Sequence, residues 1–244
     1  VAAPTFVDVE NDPDSAGGNA NSISFAWADI TGEATDQTAI IALYKESTAA
    51  YTATPAGANQ FAGFPLDNST GGFKYRTDLW WYKVPASPAT LTWSWTGNTW
   101  RFGKLLLYSG LVTTETPIIN LATDTEAAQN TQPDHPGITI TRSESGLLWI
   151  CWNFSSATLT PPAGYAQRNA AGEGACEILV MDDLTTTTGV TGNVAGTLSD
   201  PEYALTGLME IAVVGGGAAQ DTPELYGRPR GLRGDRHMRQ ILAQ

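Results

Sequence analysis

Few side chains in this sequence are of the types that do acid–base, nucleophilic or metal chemistry, and their spacing narrows what they could do. Histidine occurs twice: His135 in the turn composition Pro133-Asp134-His135-Pro136-Gly137, and His237 near the C-terminal end. By count, a three-histidine metal site and a histidine-based triad are close to excluded. The chain has no G-x-S-x-G elbow, no H-E-x-x-H, no Walker loop and no G-x-G-x-x-G following a strand. Carboxylates are plentiful, so a glycosidase pair is not excluded by number, and Asp182-Asp183 is the nearest candidate. That pair reads better as a strand end turning into Thr185 to Gly189. Glu10, Asp12 and Asp14 could offer oxygen to calcium, but the spaced-ligand loop with its glycine is missing, which favours a solvated acidic turn. Cys151 and Cys176 are too few for a disulfide scaffold, and two buried thiols are expected. The expectation is a chain that is not an enzyme and takes no cofactor or metal.

Charge points toward association. The net charge of −12 is the sum of −16 over residues 1–227 (8 basic, 24 acidic) and +4 over residues 228–244. The basic end carries Arg228, Arg230, Arg233, Arg236 and Arg239 against Asp235 alone. An acidic body argues against nucleic acid as a partner, since phosphates need facing cations. A basic arm on that body suits an acidic neighbour, such as another copy of the same protein. Gly215-Gly216-Gly217 precedes the arm as a flexible break, and Asp235 could cap a short helix with Met238, Ile241 and Leu242 on one face. These three apolar residues and the five arginines are the expected assembly contacts. Arg233-Gly234-Asp235 spells an integrin-recognition tripeptide without supporting context, and the sequons at Asn68 and Asn153 matter only in a secreted eukaryotic protein. No apolar run is long enough for a transmembrane helix, and VAAPTFVDVE lacks the basic and apolar regions of a signal peptide. No membrane partner is expected.

The elements that must position these groups are strands. Leu79 to Gly110 holds five of the eight tryptophans. Thr90 to Thr96 alternates, with Leu91, Trp93 and Trp95 on one side and hydroxyl residues on the other, the period of a half-buried strand. Gly97-Asn98 follows, which predicts a two-residue hairpin with Trp95 opposite Trp100 and Trp93 opposite Phe102. Those four rings would share a face, either a stacking platform for sugars or, as the hydroxyl-rich opposite face favours, the core of a sandwich. The return strand, Lys104 to Tyr108, is apolar on both faces, as a central strand should be. Trp80 and Trp81 are adjacent and must point to opposite sides. Either both layers are covered there, or one of the two rings is open to a partner, in which case Trp80 or Trp81 would be the carbohydrate contact.

Further strands are predicted at Pro4–Val9, Ser22–Ala28, Thr38–Tyr44 and Phe73–Val84, with a loop over Tyr51–Asn68. The second half repeats the order. Gly146–Trp152 matches Thr38–Tyr44, Pro162-Ala163-Gly164 matches Pro55-Ala56-Gly57, Cys176–Met181 matches Leu79–Lys83, and Gly207–Val213 matches Gly103–Ser109. The aromatic hairpin has no counterpart there; TLSDPEYALT stands in its place. Val112–Pro136 reads as a connector, in which TDTEAAQN could form one helical turn. The fold class is therefore all-β, an antiparallel sandwich or jelly-roll-like domain over residues 1–214. It is built from two related half-units (about 22–110 and 138–214), with residues 215–244 as linker and arm.

Pro55-Ala56-Gly57, Trp80 to Lys83, Trp100 to Gly110 and Pro161 to Tyr165 together resemble duplicated β-sandwich virion proteins of tailed bacteriophages. The likeness spans about residues 22–214, and the first copy departs from it in having Ala58 where an aromatic is usual. It implies a non-enzymatic part of a phage head or tail, located in the virion, whose partners are its own copies and neighbouring virion proteins. The rival reading is a carbohydrate-binding module or tail adhesin that takes a host surface glycan on exposed tryptophans.

Overall fold

The computed structural model describes residues 3–11, 20–35, 37–70, 73–112, 115–125, 129–135, 137–142, 145–169, 176–186, 188–201 and 203–213. Among these residues the chain is all-β, with one 3-10 turn at Trp27–Asp29 and no α-helix. The first half supplies β1 (Thr5–Asn11), β2 (Ala20–Phe25), β3 (Thr38–Lys45), β4 (Tyr51–Ala53) and β5 (Ala58–Gln60). It continues with β6 (Leu66–Thr70), β7 (Phe73–Lys83), β8 (Leu91–Thr99) and β9 (Arg101–Ser109). The second half gives β10 (Ile118–Thr125), β11 (Asp134–His135), β12 (Thr139–Ile140), β13 (Gly146–Ala157), β14 (Leu159–Thr160) and β15 (Ala166–Gln167). It ends with β16 (Cys176–Asp183), β17 (Gly189–Val190), β18 (Val194–Ala195), β19 (Thr197–Leu198) and β20 (Ala204–Ile211).

Two large antiparallel sheets form the body. The first runs β1-β9-β3-β7-β5, with β6 also on β7; the second runs β10-β20-β13-β16-β15. β3 and β13 are central because their sequences, TAIIALYK and GLLWICW, are apolar on both faces. Every position of β3 is buried. Ala39, Ile41 and Leu43 enter one core, and Ile40, Ala42 and Tyr44 enter the other. β9 divides likewise, Leu105 and Leu107 against Leu106 and Tyr108, as expected of a strand between two layers. A three-stranded outer sheet, β2-β8-β4, covers the first sheet on one side. The second sheet covers it on the other, with β16 lying over β3 and β9. The short ribbons β11–β18, β12–β17 and β14–β19 close the second sheet's far face, where Gly196 lies against Leu159 and Trp149.

The predicted hairpin does not form. β8 pairs with β2 and β4, with Trp93 opposite Ile23 and Trp95 opposite Tyr51, while β9 pairs with β1 and β3, with Phe102 opposite Tyr44. The chain therefore changes layer at Trp100. β8 fits an outer sheet because only one of its faces is apolar, and β9 fits the interior because both are. Ser22 pairs with Ser94 and Ala20 with Thr99, so β8 carries four residues, 95–98, where β2 has one. This bulge, with Gly97 at φ +82°, bends the strand into the crossing. The four rings accordingly separate, Trp93 and Trp95 into the outer core and Phe102, with Trp100 beside it, into the inner one.

The predicted loop over Tyr51–Asn68 contains β4, β5 and the start of β6, and the predicted connector contains β10. Thr123–Thr125 of TDTEAAQN belong to that strand, not to a helical turn. The two large sheets have the same strand order when β1, β9, β3, β7 and β5 are matched to β10, β20, β13, β16 and β15. Both Pro-Ala-Gly segments make the same turn. Ala58 N–H donates to Pro55 C=O and Tyr165 N–H to Pro162 C=O, each at 3.2 Å, with Gly57 at φ +82° and Gly164 at φ +94°. These positive φ values are what the glycine supplies to a turn of this kind. The expected linker and arm, 215–244, lie outside the described residues.

Candidate functional site

Trp93 and Trp95 are buried, as the core reading expects. They pack edge-on in an aromatic cluster: Trp80–Trp93 at 5.8 Å, Phe25–Trp93 at 6.2 Å, and Tyr51 at 6.1 Å from both Trp80 and Trp95. Such pairs add about 0.5–1.5 kcal/mol each beyond the area they bury. Trp80 is in this cluster at 7% exposure, while Trp81 turns to the opposite face, packs on the inner core and is only half-buried. Of the two rings proposed for sugar contact, Trp81 alone keeps an accessible portion. The expected assembly contacts, Arg228, Arg230, Arg233, Arg236, Arg239, Met238, Ile241 and Leu242, lie outside the described residues, as does His237.

Beside the aromatic cluster lies a group of buried charges that the sequence did not announce. Asp78 is fully buried and accepts from Tyr51 Oη at 2.7 Å and Gln60 Nε2 at 2.6 Å. Burial raises its pKa, while those two hydrogen bonds and the nearby Arg76 and Lys45 oppose the rise. Arg76 donates two hydrogen bonds to Asp67, from Nε at 2.6 Å and Nη2 at 2.7 Å. Lys45 is buried, donates to the carbonyls of Ser47 and Ala49, and lies over the rings of Tyr51 and Trp95 at 5.1 and 5.3 Å. Its pKa is pushed down to about 8, first by burial and then by Arg76. The cluster ties β3, β4, β5, β6 and β7 together, and its donors and acceptors are engaged with one another.

The second sheet shows the same pattern. Glu210 is fully buried in β20. Its Oε1 accepts from Arg142 N–H at 2.9 Å, Thr141 N–H at 3.1 Å and Ser145 Oγ at 2.8 Å. Its Oε2 accepts from Asn120 Nδ2 at 2.8 Å and Thr141 Oγ1 at 3.1 Å. Asp182 accepts from Arg168 at 2.5 and 2.8 Å and from Tyr108 Oη of the first sheet at 2.9 Å. The Arg168 guanidinium lies 4.3 Å from the Phe6 ring centre. Burial and the adjoining Asp182 hold the Tyr108 phenol well above its ordinary pKa. Asp182 and Asp183 point to opposite faces, as neighbours in a strand must, so the two carboxylates do not form a pair facing one substrate.

Two clefts open around the β12–β17 ribbon. One, of about 320 Å³, is lined by Tyr165, Asp183, Leu147 and Ile140 together with Thr185, Thr186, Thr188, Val190 and Thr191. The other, of about 420 Å³, lies beyond Val190 and includes Asn120, Leu121, Thr139 and Thr141. Val190 borders both and is 76% exposed, the one large apolar side chain so exposed among the described residues. In the sequence Asp183 reads as a strand end and the threonines after it simply as a turn, so the cleft they line is not legible there. The composition around Tyr165 was visible, but the approach of Asp183 to it was not.

The remaining candidates lie away from these clusters. His135 is buried, its Nδ1 accepting from Gly137 N–H at 3.2 Å, and burial lowers its pKa. Cys151 is a buried thiol in β13, and Asn153 of the second sequon is buried. Asp12 and Asp14 lie outside the described residues; Glu10 is in β1. Among the described residues no group of three metal-ligating side chains forms, and no helix is long and apolar enough to cross a membrane. Comparison with family models, curated proteins and solved structures finds no match.

Proposed function

We propose that the chain is a non-enzymatic structural protein of a tailed-phage virion. It would be a head decoration or tail-surface component with two related β half-units as its body and the basic residues 215–244 as its arm. The observation that carries this reading is the use made of buried charge. Asp78, Asp182 and Glu210 each accept from two or more donors on other segments, and so fasten strands, sheets and loops together. A general acid or base needs a proton-accepting position open to substrate; these carboxylates are spent inside the framework. The same strand order in both sheets agrees with a body made twice from one plan.

In this reading the arginines of the arm meet acidic surfaces of neighbouring copies, and Met238, Ile241 and Leu242 dock alongside. Affinity gained through many charges weakens as salt screens them. The test is reconstitution into particles of the full chain and of a chain lacking residues 218–244, each followed by imaging. The full chain should take defined positions, fewer of them occupied as salt is raised, and the shortened chain should fold yet stay unbound. Equal incorporation of both would remove the arm from the mechanism. Absence of the full chain from every particle would remove the virion reading itself.

A further inference from the structure

We propose that the cleft between Tyr165, Asp183 and Val190 is a binding site for a neutral saccharide. Its volume of about 320 Å³ falls within the range of roughly 300–1,000 Å³ typical of small-molecule sites. Its chemistry is that of a polyhydroxylated ring. Leu147 and Ile140 give an apolar floor, Tyr165 an aromatic wall with a phenolic hydroxyl, and the threonines a hydroxyl rim. Asp183 stands at the edge with Oδ1 fixed by Thr185 N–H at 2.9 Å and Thr185 Oγ1 at 2.8 Å. Among the described residues no other donor reaches it, so Oδ2 is left to accept from a ligand hydroxyl.

The lining excludes other classes of ligand. Among the described residues no lysine or arginine borders the cleft, and Asp183 on a body of charge −16 would repel phosphate, nucleotide or an acidic sugar. A purely apolar ligand would strand the carboxylate and the phenol without partners. A neutral saccharide meets both demands, presenting C–H groups to Tyr165 and Val190 and hydroxyls to Asp183 and Thr188. Comparison of the two halves gives independent support. The Pro-Ala-Gly turn forms equally well with Ala58 after it, so the turn does not require an aromatic at Tyr165. The site does.

The inference stands whether or not the chain belongs to a particle, and it is tested on the isolated full chain. The methyl glycosides of glucose, galactose, mannose and N-acetylglucosamine serve as probes at millimolar concentration. Saturation-transfer and amide-shift NMR report binding and its location. At least one probe should shift the amides of Thr185, Thr188 and Val190. Binding should weaken about tenfold or more in D183N and in Y165A, and stay unchanged in W81A. Y165F, which keeps the ring packing and removes only the hydroxyl, stands in if Y165A fails to fold, and should weaken binding in the same direction. The proposal is overturned if none of the four glycosides shifts those amides, or if binding survives D183N and disappears in W81A.

Discussion

Lys45 shows how a single buried charge writes itself into the pH dependence of the fold. Its pKa in the folded chain is about 8, against an ordinary 10.5. Between those values the unfolded chain holds more protons, so this residue's contribution to stability rises with pH across the window. Below pH 8 the folded state carries the cost of a desolvated ammonium. Urea titrations of wild type and K45M from pH 7.5 to 9.5 should show wild type gaining on the variant by up to about 1 kcal/mol per pH unit. Parallel curves would mean that Lys45 titrates normally. Glu210 is tested by a change of its hydrogen-bonding chemistry. Replacing one of its oxygens by an amide in E210Q sets a donor against donors from Asn120 and Thr141, or from Arg142 and Ser145. The expected loss is about 2–4 kcal/mol in urea unfolding, and a loss under 1 kcal/mol would show that the site relaxes around the amide.

Layer switching between β8 and β9 is the decisive event at the scale of elements. Gly97 holds φ +82° with open space where a Cβ would stand, so a substitution there meets backbone strain and no collision. G97A should cost about 1–2 kcal/mol and G97N less, since asparagine tolerates the left-handed region better. Equal stability of G97A and wild type, read from chemical denaturation, would show that the bend does not depend on this residue. The same crossing marks where sequence reading succeeded and where it failed. Alternation located β8, and apolarity on both faces located β3, β9 and β13, because burial writes its period directly into residue type. Pairing was misread because Gly-Asn is a hairpin signal of local range. The difference between a one-faced β8 and a two-faced β9 was itself the sign that they belong to different sheets. The edge strands β4, β5, β6 and β10 were missed since edges need little apolar patterning. Around the cleft, Tyr165 was legible as the residue after a turn, but its nearness to Asp183 depends on β15 pairing with β16, a contact no local pattern encodes.

Two sheets of identical order could behave as two independently melting units, and the contacts between them argue that they do not. The inner core contains Ile40, Tyr44 and Leu106 of the first sheet with Leu148, Ile150 and Val180 of the second, all buried. Phe64 and Trp152 meet across it at 5.9 Å. Tyr108, Asp182, Arg168 and Phe6 form a polar and cation–π tie between the sheets, and Leu111 bridges to Val213 where each half ends. Loss of either sheet would expose a whole apolar face of the other at about 25 cal/mol per Å², so neither has a stable existence alone. Native-state hydrogen exchange should therefore give the slowest amides of β3 and β13 the same opening free energy, the sign of a shared global unfolding. D182N removes the charge that Arg168 pairs with and leaves an acceptor for Tyr108. It should lower both values together by about 2–3 kcal/mol. If the variant lowers protection in β13 while β3 keeps its wild-type value, the sheets are separable units and the inner core does not couple them.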